Sequence, residues 1–125
     1  KKVQAASKVP LGGRWNFDKI SNELQYGEGW GIFYEQKLTG FILMRTTRYE
    51  VEITLVAVSP DYQRSGFMTQ LMKKVNDLYP QPKYLEVHAG NRPAQKFYET
   101  IGFERVGERR FYYRDGGHAH LYRLL

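Results

Sequence analysis

Twice in this chain a short apolar run breaks into a polar turn and resumes with apolar residues at helical spacing. The first unit runs from Val51 to Val58, breaks at Ser59, Pro60 and Asp61, and continues at Phe67, Met68, Leu71, Met72, Val75 and Leu78. The second has a strand-like run at residues 84–88, a cap at Asn91 and a helix face of Ala94, Phe97, Tyr98 and Ile101. Pro93 suits the first helical turn and Gly102 the left-handed stop, so both boundaries have a chemical reason. Two strand-to-helix units with hairpins around them require helices packed on a sheet, a mixed α/β fold. The hairpins are expected between residues 31–35 and 39–47, and between 103–113 and 118–125 through Asp115, Gly116 and Gly117.

A strand-to-helix turn is where an anion binds. Residues 63–67 deliver backbone N–H groups to a helix start, whose unpaired donors and dipole attract negative charge. Gly66 permits close approach, and Gln63 and Arg64 add a donor and a positive charge. A nucleoside-triphosphate loop needs Lys and then Ser or Thr after its last glycine, where this chain has Phe67 and Met68. The plainer reading is a glycine that opens a surface helix. Strand parity adds a clue: Val51, Ile53 and Leu55 share one face, then the pattern shifts to Val56 and Val58. Either a bulge lies near Leu55, splaying this strand from its neighbour, or the strand is central and buried on both faces.

The length of 125 residues and 42% hydrophobic content fit one domain spanning residues 1–125. No cysteine is present, which excludes disulfides and thiol catalysis, and no Gly-x-Ser-x-Gly elbow occurs. The net charge of +6 suits an anionic ligand; its basic residues are dispersed, which argues against nucleic acid as the main partner. No apolar run approaches the length of a membrane span, and residues 1–3 lack a signal-peptide core. A cytoplasmic protein, monomeric or weakly dimeric and without a membrane partner, is the expectation.

The run from Val56 to Gly66, together with that from Leu85 to Phe103, resembles the acetyl-CoA-binding core of the GNAT N-acetyltransferases. Arg109, Arg110, Phe111, Tyr112 and Tyr113 before the last strand, and Trp15, Asn16 and Phe17 upstream, are similar to the RimI-like enzymes that acetylate N-terminal alanines of proteins. The resemblance implies a central, mostly antiparallel twisted sheet with a splayed strand pair flanked by helices. The family's first strand and most of its first helix are expected to be missing or shortened before Trp15.

It also implies roles. Val56, Ala57 and Val58 would meet the pantetheine arm; Gln63, Arg64, Ser65, Gly66, Phe67 and Met68 the pyrophosphate; Asn91, Ala94, Phe97 and Tyr98 the pantetheine and thioester end. Glu86 matches the general base and Tyr98 the general acid, while Tyr112 and Tyr113 match aromatics of the acceptor site. Glu50 is a further acceptor-side candidate, and Glu50 and Glu52 lie on the strand where other GNAT enzymes place their base. The acetyl donor would be acetyl-CoA, with no metal. The acceptor would be a protein or peptide N-terminus, or alternatively a small amine; a noncatalytic CoA-binding or protein-interaction module is the reading from another class.

Two departures from the pattern stand out. Met68 occupies a position that usually holds a small residue, so it either narrows the approach to the pyrophosphate or packs beneath it. His118 and Ala119 replace the Asp-Ala of RimI-like chains. His118 and His120 are expected on one strand face, and without a third ligand they read as surface residues rather than a metal site.

Overall fold

The computed structural model describes residue 25 and residues 27–62 and 65–125. The expectations placed on Trp15, Asn16, Phe17, Gln63 and Arg64 therefore lie outside the described residues.

Strands β1 (Glu28–Tyr34) and β2 (Lys37–Thr46) form the first hairpin. Glu35 and Gln36 connect them with φ of 49° and 65°, two left-handed residues in a row. Such turns match the strand twist, and here they form without the usual Gly or Asn. β3 (Val51–Val58) pairs antiparallel with β2. Leu43 faces Leu55 while Met44 faces Ile53, so Thr54 is an extra residue. A bulge therefore decides the parity question. It turns Val51, Ile53, Val56 and Val58 toward one face and leaves Glu52, Leu55 and Ala57 on the other.

A 3₁₀ turn at Pro60–Tyr62 precedes helix α1 (Phe67–Leu78). α1 buries Met68, Leu71, Met72 and Val75, whereas Leu78 is exposed. Strand β4 (Lys83–His88) runs parallel to β3, but only Val51 with Lys83 and Glu52 with Tyr84 are paired. Beyond those two pairs the strands diverge. The Lys83 ammonium is buried at this junction and donates to the carbonyls of Tyr79 and Gln81 at the end of α1. Burial lowers its pKa.

Helix α2 (Arg92–Thr100) begins where Asn91 Oδ1 accepts from the Ala94 N–H at 3.3 Å. Gly102 (φ 106°) donates to the Glu99 carbonyl, and Phe103 donates to that of Tyr98. This is the Schellman pattern, and its apolar contact is Tyr98 against Phe103 at 5.6 Å between centroids. β5 (Glu104–Arg109) and β6 (Ala119–Leu124) complete the sheet, in the order β1-β2-β3-β4-β6-β5. All neighbours are antiparallel except β3 and β4.

Both helices cover the same face: Met68, Met72 and Val75 of α1 and Tyr98 of α2 join Ile42, Ile53, Leu85, Val87 and Tyr122 in one core. Registers with β4 and β6 place Glu52, Glu86, His88 and Arg109 on the opposite face. The last hairpin corrects the sequence expectation. β5 ends at Arg109, and residues 110–118 form a loop in which Phe111 takes φ 55°, a conformation no strand can use. His118 belongs to that loop, so it does not share a strand face with His120.

Candidate active site

α1 opens without a side-chain cap: Gly66, at φ 85°, is its N-cap residue and supplies none. Ser65 Oγ instead donates to the Tyr62 carbonyl and accepts weakly, at 3.4 Å, from the Phe67 N–H. First-turn N–H groups have no partner within their own helix, so this end is electropositive. Among the described residues, chain neighbours of Gly66 aside, no atom lies within 4 Å of where a Gly66 Cβ would stand, so they leave the backbone there open to a ligand. α2, by contrast, is closed by Asn91. Tyr34, Tyr62 and Phe67 wall the α1 turn on one side, with centroids 5.6 to 6.0 Å apart.

Met68 is buried in the core, and its Cε would stand 3.3 Å from a Cβ on Gly40. Its side chain packs beneath the turn and leaves only its backbone for an anion. The expectation that it narrows the approach is set aside on this geometry.

The gap between β3 and β4 is flanked by Val56, Ala57 and Val58 from one strand and by the α2 side of β4. Gln95 Nε2 fastens α2 to the end of β4 by donating to the His88 and Ala89 carbonyls at 3.1 and 2.9 Å. Ala94 and Phe97 are half-buried against the core, and Phe97 meets Tyr98 edge-on at 5.4 Å. Burial pushes the Tyr98 phenol up to about 12. Among the described residues the Tyr98 hydroxyl makes no hydrogen bond, unlike that of Tyr122, which donates to Glu99 at 2.7 Å.

On the opposite face a polar cluster surrounds Glu86. Arg109 Nε lies 3.2 Å from Glu86 Oε1. Hydrogen bonding to Glu86 and the charge of that carboxylate raise the Tyr112 phenol, and Glu52 adds to the effect. Tyr113 is raised by burial first and by Glu86 next. The structure thus brings Glu86, Tyr112 and Tyr113 together as expected, with Glu52 near. Glu50 stands apart in the β2–β3 turn, its carbonyl accepting from the Thr47 N–H at 2.9 Å.

Three members of the cluster were given no site role by the sequence reading: Arg109, His88 and Asp115. His88 lies two residues beyond Glu86 on the same strand, so parity alone could have placed it on this face. Its partner Asp115 is 27 residues away and carries no such signal. Among the described residues no group of three His, Cys, Asp or Glu side chains could hold a metal ion, and no helix is long and apolar enough to cross a membrane.

Residues 6–103 match the model of the acetyltransferase (GNAT) family. N-alpha-acetyltransferase RimI of Mycobacterium tuberculosis is 40% identical over 76 residues, 60% of this chain and 48% of that protein. This chain spans about half the length, or less, of the first relatives it matches. The crystal structure of the ribosomal-protein-S18-alanine N-acetyltransferase from Escherichia coli superposes with a TM-score of 0.80 at 26% identity, over 90% of this chain and 78% of that one. A GNAT family acetyltransferase from Elizabethkingia anophelis with acetyl-CoA bound has the same fold, with a TM-score of 0.83 at 16% identity over 99% and 95% of the two chains.

Proposed function

Because this chain belongs to the GNAT acetyltransferase family, we propose that it transfers the acetyl group of acetyl-CoA to a primary amine, the α-amino group at a protein or peptide N-terminus. One relationship carries the reading. Among the described residues, the gap between β3 and β4 has a helix start that its N-cap glycine leaves open and a phenol without a hydrogen bond on one face, and on the other a carboxylate that bonds Tyr112 and bears electrostatically on Tyr113.

A bipartite anionic thioester suits the first side. Its pyrophosphate would lie on the backbone of Ser65 to Met68, and its pantetheine arm would run along Val56 to Val58 toward Ala94, Phe97 and Tyr98. Asn91 keeps its side chain for the cap and stands at the mouth of α2. The amine enters from the other side. An ammonium cannot attack a thioester, so Glu86 accepts its proton, directly or through water. The nitrogen lone pair then forms the carbon–nitrogen bond as the carbon–sulfur bond breaks; Tyr98 donates its proton to the departing thiolate, and the surplus proton on the amide nitrogen leaves to water, which returns one to the Tyr98 phenolate. Proximity supplies most of the acceleration, and no covalent enzyme intermediate is needed. N-alpha-acetyltransferase names among the relatives support the α-amino acceptor.

The deciding experiment measures thiol release from acetyl-CoA across a panel of N-terminal peptides and small amines. Release with peptides bearing a free α-amino group supports the proposal. Release with small amines alone would identify a small-molecule enzyme, and CoA binding without release to any amine would identify a noncatalytic module.

A further inference from the structure

Besides the bond from the Ala89 N–H to the His118 carbonyl at 2.8 Å and that of Tyr112 to Glu86, the loop that carries Tyr112 and Tyr113 is fastened to β4 through one imidazole. His88 Nδ1 accepts from the Gly90 N–H at 2.8 Å, so the proton sits on Nε2, which donates to Asp115 Oδ2 at 2.9 Å. Asp115 Oδ1 accepts in turn from the Gly117 N–H at 2.7 Å. The Tyr113 ring stacks on the imidazole, with centroids 4.8 Å apart and planes 23° from parallel. Gly117 passes so close that a Cβ there would lie 2.3 Å from His88 Nε2 and 2.8 Å from Asp115 Oδ1. Three residues of one loop, Tyr113, Asp115 and Gly117, therefore converge on His88.

Both imidazole nitrogens are occupied, so His88 has no lone pair free to take a proton from an amine. The exposure of the pair, 35% for His88 and 64% for Asp115, also removes core stability as its main purpose. What remains is placement. We propose that His88 is a positioning residue: with Asp115 it clasps residues 110–118 against β4 and thereby sets Tyr112 and Tyr113 beside Glu86, fixing the width of the acceptor channel. This deepens the acetyltransferase reading and rests on it for the word acceptor, while the clasp itself can be judged without turnover.

Two isosteric changes separate the contacts of His88. His88→Gln keeps a donor near the Nε2 position and so retains Asp115; His88→Asn keeps an acceptor near Nδ1 and retains only Gly90. The loop contains Arg110 and Arg114, so trypsin reports its release. His88→Asn and Asp115→Ala are expected to be cut there at least about fivefold faster than wild type, with His88→Gln close to wild type. The same two variants should raise KM for the peptide acceptor about tenfold, leave KM for acetyl-CoA unchanged, and combine without further loss. Wild-type cleavage rates in every variant, a His88→Asn protein that behaves better than His88→Gln, or a loosened loop with an unmoved peptide KM would each overturn the proposal. If wild type acetylates no amine, the acetyltransferase reading fails, and the order of cleavage rates still decides whether the clasp exists.

Discussion

Glu86 and Tyr98 stand on opposite faces of one sheet, the first on β4 beside Arg109 and Tyr112, the second on α2 within the helix-covered core. Between them lies the part of β4 that β3 does not pair. In the proposed reaction this separates the two proton movements: the amine gives its proton up on one face, and the thiolate collects another on the other face.

Tyr98→Phe removes the proposed donor and little else, because the Tyr98 hydroxyl has no hydrogen bond to lose among the described residues. Turnover should fall by about a hundredfold or more while KM for acetyl-CoA stays near wild type. Steady-state kinetics check this, and an unchanged kcat would take Tyr98 out of the mechanism.

The same phenol predicts an alkaline loss of stability. Its pKa rises from 10.0 unfolded to about 12 folded, so the native state holds the proton more tightly. The contribution is intact below pH 10 and is lost as pH climbs toward 12, at roughly 1.4 kcal/mol per unit for this one group. Urea unfolding at pH 9 and pH 11 should show the wild type losing more stability between the two than Tyr98→Phe does.

Glu86→Gln should lower kcat by about a hundredfold and flatten the acidic limb of the rate profile, because an amide cannot accept the ammonium proton. Arg109→Met tests the partner. Its side chain is 57% exposed, so the melting temperature should barely move, whereas activity should drop as Glu86 loses its orientation.

Met68→Ala should destabilise the protein by about 2–4 kcal/mol, the usual result of truncating a buried methionine. CoA affinity measured by calorimetry should remain that of the wild type, since the side chain packs toward Gly40 in the core. A large affinity change with little loss of stability would place Met68 at the phosphate after all.

Gly117→Ala places a methyl where His88 and Asp115 meet. It should reproduce the His88→Asn phenotype, with faster tryptic cleavage of the loop and a raised peptide KM. The backbone at Gly117 does not need a positive φ, so any effect comes from crowding alone.

Much of the fold was legible because local chemistry and tertiary structure agree. Asn91, Pro93 and Gly102 mark α2 by capping rules that hold in any context, and the parity break left the β3 bulge as one of two readings; the structure puts the extra residue at Thr54, so Leu55 does not share the face of Val51 and Ile53 as its spacing suggested. The misread parts are those decided by distant partners. The aromatic run from Phe111 to Tyr113 has strand propensity, yet Phe111 is turned left-handed where its N–H donates to His118 Nδ1 at 3.0 Å. The β1–β2 turn uses Glu35 and Gln36 where glycine is customary, so nothing in its letters announces the turn type. Met68 could not be placed without Gly40, which sits 28 positions earlier on a strand two places along the sheet. In the candidate site the residues that match a family pattern were readable, whereas the pairing of His88 with Asp115 depends on a loop path that no short motif encodes.

The seam between β3 and β4 has one more consequence. With only two residue pairs across it, the sheet is mechanically two plates of three strands, β1-β2-β3 and β4-β6-β5, joined like pages at the lower end of a spine. Each plate is laced by its own antiparallel ladders. A change of angle between the pages would leave both ladders intact, and the two residues proposed to handle protons ride on the same plate, Glu86 within β4 and Tyr98 on the helix tied to its end. In the proposed reaction, such a change of angle would alter access to these two residues without altering their alignment.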